Sequence, residues 1–394
     1  MAHNPLIIIP GPTISTLNLV DNEGNKIKQV LPFQTDKQLL ADTVKNSLIK
    51  MVLTKKDSGF SDSIAKIADD MFEPLSVNED GTKKYNVKAV EIKRSLKNCS
   101  DGTKEIFNRA FPTESLINAI GEENIYLFNY DIFGDVFTVA KQLDNFICNI
   151  KNTTGAEKAD ILCISLGGAV LKAYLCEYAH KNDISKVISV ASLMNGSSLI
   201  ADIFENKIVS ANIEQLLAMF SDKDKSFASL TKMLPPDAVE NTAKKCMELA
   251  KSKFFNNCTM MWACIPDNRF DAVYSSLIRS GSELDKKVSG LHNYSKNLKK
   301  ELKALYDNGM RFYQFCGYGN KLIPITTNSE ISSDGIVDAS LASFGATFSS
   351  VDSEPIYFNC LFGDTTWFYK NEDHLSIQKN KVLIENVAKI LAEN

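Results

Sequence analysis

Apolar and polar positions run along this chain in two rhythms, and their alternation sets out most of its elements. Four short runs are apolar almost throughout: Leu6–Ile9, Asn124–Asn129, Asp160–Ile164 and Lys186–Ala191. Runs of this length without alternation suit strands buried on both faces. Between them the spacing changes to three and four. Val136, Val139, Ala140, Leu143, Phe146, Ile147 and Ile150 mark one face of a helix, and Val170, Leu171, Tyr174, Leu175 and Tyr178 mark another. Strand, helix, strand, helix, strand predicts a mostly parallel sheet with crossover helices.

The flanks are less regular. Residues 17–32 predict a hairpin around Asp21–Asn25, 36–53 and 61–73 predict helices, and Val87–Ile92 predicts a strand. From 199 to 308 helical spacing dominates, over roughly 199–206, 211–221, 237–254 and 284–307. Pro235-Pro236 interrupts it, and Met260–Ile265 forms an apolar island. Arg311–Cys316 and Pro355–Leu361 restore strand character, and Ile377–Leu391 closes the chain as a helix. The expected organisation is a core of 1–198 and 309–394 with a helical cap, 199–308, inserted into it.

One segment carries chemistry. Asp160–Ile164 runs straight into Ser165-Leu166-Gly167-Gly168 and then a helix. A sharp strand-to-helix turn lifts one side chain clear of the sheet, and it needs small residues two before and two after, usually as G-x-S-x-G. Here Cys163 and Gly167 hold those places. Cysteine is compact enough for the turn. A serine that merely caps the helix is the plainer alternative, but the buried strand before it and the amphipathic helix after it favour a nucleophile. The helix start leaves the Leu166 N–H open as an oxyanion donor.

A serine nucleophile needs a base, and in this fold acid and then histidine follow it in the chain. The chain has four histidines, His3, His180, His292 and His374. His292 falls on a polar stretch of the cap (HNYSKNLKKELK) and reads as a solvated face residue. His374 sits in a polar loop, Asn371–Leu375, after a strand and before the last helix, where a base belongs. For the acid, Ser333–Asp338 offers two aspartates: Asp334 is preferred and Asp338 is the alternative. Pro10–Ser15 follows the first strand and would supply a second oxyanion donor. Pro12 has no N–H, which leaves Thr13 as the nearest.

Bulk properties narrow the field. The 394 residues, with 44 basic and 48 acidic side chains well mixed and a formal charge of −4, show no basic stripe, so nucleic-acid binding has no support. The nine cysteines include no zinc-like spacing. Cys148, Cys163, Cys176, Cys316 and Cys360 lie in apolar runs and read as buried thiols in a reducing compartment. The N-terminus shows neither a charged leader nor a cleavage site, and no apolar stretch approaches about 18 residues. The expectation is a cytoplasmic protein needing no metal or organic cofactor.

Several segments together resemble the lecithin:cholesterol acyltransferase family of α/β-hydrolases, which includes lysosomal phospholipase A2. IIIPGPTISTL (7–17) is similar to its opening strand and oxyanion loop. In NYDIF (129–133), Tyr130 and Asp131 match a Tyr-Asp-Trp-Arg segment that Ile132-Phe133 leave. DILCISLGG matches the nucleophile segment except at Cys163. ASLMNGSSL (191–199), MMWACIP (260–266), CGYG (316–319), SDGIVDASL (333–341) and EDHLSI (372–377) follow in the family's order. Region 18–120 is poorly matched. The resemblance implies a Ser165–Asp334–His374 triad acting on a fatty acyl ester; the apolar residues of the cap suggest, separately, transient contact with a membrane surface. Leu216–Phe220, Phe227 and Trp262 would then line an acyl channel, or form the cap's own core. The rival readings are a thioesterase or peptidase on the same fold, and a non-catalytic interaction protein that keeps it.

Overall fold

The computed structural model describes residues 3–33, 37–207, 235–322, 330–348, 353–357 and 362–393. Six strands form the main sheet: β1 (Leu6–Ile9), β2 (Ile125–Leu127), β3 (Ala159–Ile164), β4 (Ile184–Val190), β5 (Arg311–Tyr318) and β6 (Thr366–Lys370). Their spatial order is β6-β5-β4-β3-β1-β2, and every neighbouring pair is parallel. Parallel neighbours force crossovers, and the crossovers put helices on both faces. This is the α/β-hydrolase fold.

The continuous apolar runs follow from that layering. Side chains alternate across a strand, so Ile7, Ile9, Ile161 and Cys163 enter one core and Leu6, Ile8, Leu162 and Ile164 the other. The first core is covered by α1 (Val136–Thr154) and α2 (Gly167–Tyr178), the second by the helices Asp101–Ala110 and Glu114–Ile120 and by the final helix Lys381–Ala392. Each fully buried Ile or Leu in these layers contributes about 1.5–3 kcal/mol relative to exposure.

The helices between β4 and β5 join the first core. Phe254, Trp262, Phe270, Val288, Leu291 and Leu302 belong to the same buried cluster as Ile7 and Ile161. This region starts with α3 (Ser198–Phe204) and ends with α4 (Glu283–Asp307). Two buried lysines tie it down. Lys172 of α2 donates to the Ala263 carbonyl at 2.6 Å, and Lys251 donates to the carbonyls of Ile203 and Phe204 at 2.9 and 3.2 Å. In each case an ammonium meets carbonyls at the C-terminal end of a short helix, where the backbone dipole is negative.

Several sequence expectations shift. The 17–32 hairpin forms, as strands Leu17–Val20 and Lys26–Leu31, with Val87–Ala89 as a third strand. The strand expected at Pro355–Leu361 is not the sheet strand. Ile356–Tyr357 pairs with Thr347–Phe348 in a small side hairpin, 358–361 lie outside the described residues, and the edge strand is Thr366–Lys370. That strand is half-buried and aromatic-rich, so its apolar pattern is muted. His292 is not a solvated residue. It is 7 % exposed, stacks on Phe270 with ring centroids 3.6 Å apart, and meets Asp267 Oδ1 through Nε2 at 2.9 Å. The helix turns that side inward beside Leu291 and Val288, and burial pushes the imidazole pKa down. Cys163 and Cys316 are buried, Cys148 and Cys176 only half-buried, and Cys360 lies outside the described residues.

Candidate active site

Ser165 stands at the C-terminal end of β3, between that strand and α2. Its φ of +53° is left-handed, a conformation that costs an L-residue roughly 1–2 kcal/mol. Three backbone bonds hold it there: Ser165 N–H donates to Val190 O at 3.1 Å, and Ser165 O accepts from Leu193 N–H at 2.9 Å and Gly168 N–H at 3.0 Å.

The two glycines that follow are steric necessities. A Cβ on Gly167 would lie 2.2 Å from Ile9 O, and one on Gly168 would lie 1.8 Å from Ser192 Oγ and 2.9 Å from Met194 N. Cys163, two residues before the serine, points into the first core. It is held by the Ser189 and Ser192 hydroxyls, and burial pushes its thiol up to about 12, so it stays protonated.

His374 lies in the turn between β6 and the final helix and is buried. Its Nε2 is 2.8 Å from Ser165 Oγ, across 209 residues of sequence. Its Nδ1 is 2.8 Å from Asp334 Oδ2. A carboxylate at Nδ1 accepts the ring proton, leaving Nε2 as the acceptor for the serine hydroxyl.

Asp334 is itself fixed on its other oxygen, where Oδ1 accepts from Ile336 N–H at 2.9 Å and Val337 N–H at 2.8 Å. Asp334 O accepts from His374 N–H at 2.9 Å, so both loops travel together. Gly317 of β5 makes room for them: a Cβ there would come 2.7 Å from Asp334 Cβ and 3.0 Å from Glu372 O.

Asp338, the alternative acid, does not reach the imidazole. Its two oxygens accept from Ser198 N–H at 2.9 Å and Ser198 Oγ–H at 2.6 Å. Burial raises its carboxyl pKa.

The front loop crosses close to the serine. A Cβ on Gly11 would lie 3.2 Å from Ser165 Cβ and 3.6 Å from its Oγ. The 3₁₀ turn Pro12–Ile14 uses the N–H groups of Ile14 and Ser15, which donate to Gly11 O and Pro12 O. Thr13 N–H takes part in neither bond. Leu166 N–H opens α2, where a helix leaves its first N–H groups unused.

Tyr130, buried completely, donates from its hydroxyl to Pro10 O at 2.8 Å, and Ser15 Oγ donates to Tyr130 O at 3.1 Å. The loop is thus clamped at both ends to one residue. Nothing in local sequence spacing marks the roles of Gly11, Gly317 or the Tyr130–Ser15 clamp. The Tyr-Asp resemblance was the one signal at Tyr130.

Trp262 packs between Phe204 and Phe270, while Leu216–Phe220 and Phe227 lie outside the described residues. Among the described residues one cluster has metal-ligand character, Asp144, Cys148 and Asp183. Both of its carboxylates are occupied by lysines, Lys181 and Lys151. No helix among the described residues is long and apolar enough to cross a membrane.

No protein-family model matches this chain, and no curated protein matches it. Solved structures do. The mature form of lipase BlEst2 from Bacillus licheniformis is similar with a TM-score of 0.34 at 12 % identity, over 76 % of this chain and 88 % of that one. Phospholipase PlaB from Legionella pneumophila is similar with a TM-score of 0.30 at 14 % identity, over 64 % of this chain and 43 % of that one. A chain of the Tle4–Tli4 complex is similar with a TM-score of 0.43 at 10 % identity, over 99 % of both chains.

Proposed function

We propose that this chain is a serine hydrolase or acyltransferase of carboxylic esters, working through Ser165, His374 and Asp334. The observation that carries the reading is the unbroken line Ser165 Oγ, His374 Nε2, His374 Nδ1, Asp334 Oδ2, with both gaps at 2.8 Å. A nucleophile, a base in reach of it and a group orienting that base are what covalent acyl transfer requires.

In this mechanism Ser165 Oγ attacks the ester carbonyl carbon while His374 Nε2 takes the hydroxyl proton. The carbonyl oxygen becomes an oxyanion held by the Leu166 N–H and, from the front loop, the Thr13 N–H. The intermediate collapses as the imidazolium returns its proton to the leaving oxygen, which departs as an alcohol. Water or a second alcohol, deprotonated by His374, then attacks the acyl-Ser165 ester and frees the enzyme. Asp334 keeps the imidazole in one tautomer and stabilises its cationic form. None of these steps calls on a metal or an organic cofactor.

The acyl group fits a lipid-like chain in this reading, by the resemblance to acyltransferases and phospholipases of this fold, and 199–308 acts as the cap over it. The test is direct. A fluorophosphonate probe should label the wild-type protein near neutral pH and fail on Ser165→Ala, and p-nitrophenyl esters should be turned over with a rate that grows beyond acetyl. An unlabelled wild type overturns the enzymatic reading, and a rate that peaks at acetyl overturns the lipid-like acyl group.

A further inference from the structure

The acid loop is bonded on its outer side to the place where the inserted helical region leaves the sheet. Ser197 and Ser198 open α3, the first helix of that region. Ser197 Oγ donates to the Ile336 carbonyl, and Ser198 gives both its N–H and its hydroxyl to Asp338. Ile336 is also one of the two residues whose N–H groups hold Asp334 Oδ1. Asp334 and Asp338 thus close the two ends of one five-residue loop, one facing the imidazole and the other facing α3.

The far end of α3 is gripped as firmly. Arg269 bonds Asp202 at 2.7 Å and Glu205 at 2.8 Å, and Lys251 caps the Ile203 and Phe204 carbonyls. Hydrogen bonds therefore run without a gap from the inserted helices through α3 and the loop to Asp334 and His374.

We propose that Asp338, with Ser197 and Ser198, is a positioning device that sets the distance from Asp334 to His374 and ties it to the inserted helical region. This rests on the catalytic reading above. The reason is geometric. Among the described residues, the side-chain bonds that reach this loop from outside, His374 apart, come from α3, Ser197 to the Ile336 carbonyl and Ser198 to Asp338, and a tautomer-holding carboxylate works only when its oxygen stays within hydrogen-bond reach of Nδ1. Asp338 touches no reacting atom, so its effect reaches the chemistry only through Asp334. The test measures the energetic coupling between these residues.

The full chain is prepared as wild type, Ser198→Ala, Ser198→Thr, Asp338→Asn and the Ser198→Ala/Asp338→Asn double variant. Turnover of p-nitrophenyl butyrate is measured with melting temperature, and the downfield proton resonance of His374 Nδ1–H is recorded by NMR. Ser198→Ala and Asp338→Asn should each lower kcat about tenfold with KM within about twofold, roughly the size of one lost positioning contact. The double variant should be no worse than the poorer single, because both weaken the same Ser198–Asp338 contact. Ser198→Thr, which keeps the hydroxyl, should recover most of the rate. The Nδ1–H resonance should move or broaden in Ser198→Ala.

Unchanged kcat in folded Ser198→Ala, losses that multiply in the double variant, or a resonance that stays in place would each overturn the proposal. The resonance needs no turnover, so it tests the positioning device even if fluorophosphonate fails to label the wild type. That failure would count against the catalytic reading alone.

Discussion

The two halves of the candidate site are held by opposite means. On the nucleophile side, the constraint is steric: a left-handed Ser165, and glycines at 167 and 168 where a Cβ would meet the Ile9 carbonyl and the Ser192 hydroxyl. On the acid–histidine side, the constraint is a set of side-chain hydrogen bonds across loops far apart in sequence, Asp334 to His374 and Ser198 to Asp338. Steric constraints of the first kind are short-range and leave a motif. Bonds of the second kind leave almost none, because an aspartate in a loop looks the same whether it orients an imidazole, receives a serine or simply ends a turn.

The comparison can be broken from either side. The largest effect belongs to the nucleophile. Ser165→Ala should lower ester turnover by about 10⁵-fold or more, to near background, with melting unchanged; retained turnover would move the chemistry elsewhere. Next comes the acid. Asp334→Asn should cost about 10⁴-fold in kcat by stabilising the wrong tautomer, against the roughly tenfold expected for Asp338→Asn, and a reversed order of the two would exchange their roles.

A third test separates sterics from bonding. Gly167→Ala should destabilise the fold by about 3 kcal/mol or more, seen in denaturant unfolding, because the Ile9 carbonyl it meets is backbone and cannot rotate away. Tyr130→Phe should leave stability within about 1–2 kcal/mol but lower kcat several-fold, since it frees one end of the front loop. If Tyr130→Phe alters KM and leaves kcat alone, the clamp serves binding instead.

The smallest effect is electrostatic and comes from a buried lysine of α2. Burial depresses Lys172 from its ordinary value to about 8. Between about pH 8 and 10.5 the unfolded chain then binds a proton that the folded one has released, so this group's contribution to stability rises with pH across that window. The unfolding free energy of the wild type should therefore gain on that of Lys172→Met from about pH 8 to 10.5, by urea melts at several pH values. A flat difference would mean that Lys172 stays charged in place.

The parallel sheet was legible because buried strands of this kind are apolar throughout, and because α1 and α2 keep strict helical spacing on one face. β6 was missed for the converse reason. As an edge strand it is exposed along one side, and Thr366–Lys370 carries aromatics that pack only partly. The helices Asp101–Ala110 and Glu114–Ile120 were missed as well, the first because most of its residues are polar and the second because it spans only seven residues. His292 misled because its neighbours in sequence are lysines and asparagines, while its neighbours in space are Phe270 and Asp267.

Sequence by itself determined what depends on near neighbours along the chain: the strand–turn–helix around Ser165 and the small residues at its turn. Tertiary structure decided which of two aspartates faces His374, how Gly11, Gly317 and Tyr130 shape the approach, and which strand closes the sheet. The first set follows from apolar patterning and backbone geometry within a few residues. The second follows from hydrogen bonds and packing between segments as much as 209 residues apart, whose partners are fixed only once the sheet has brought them together.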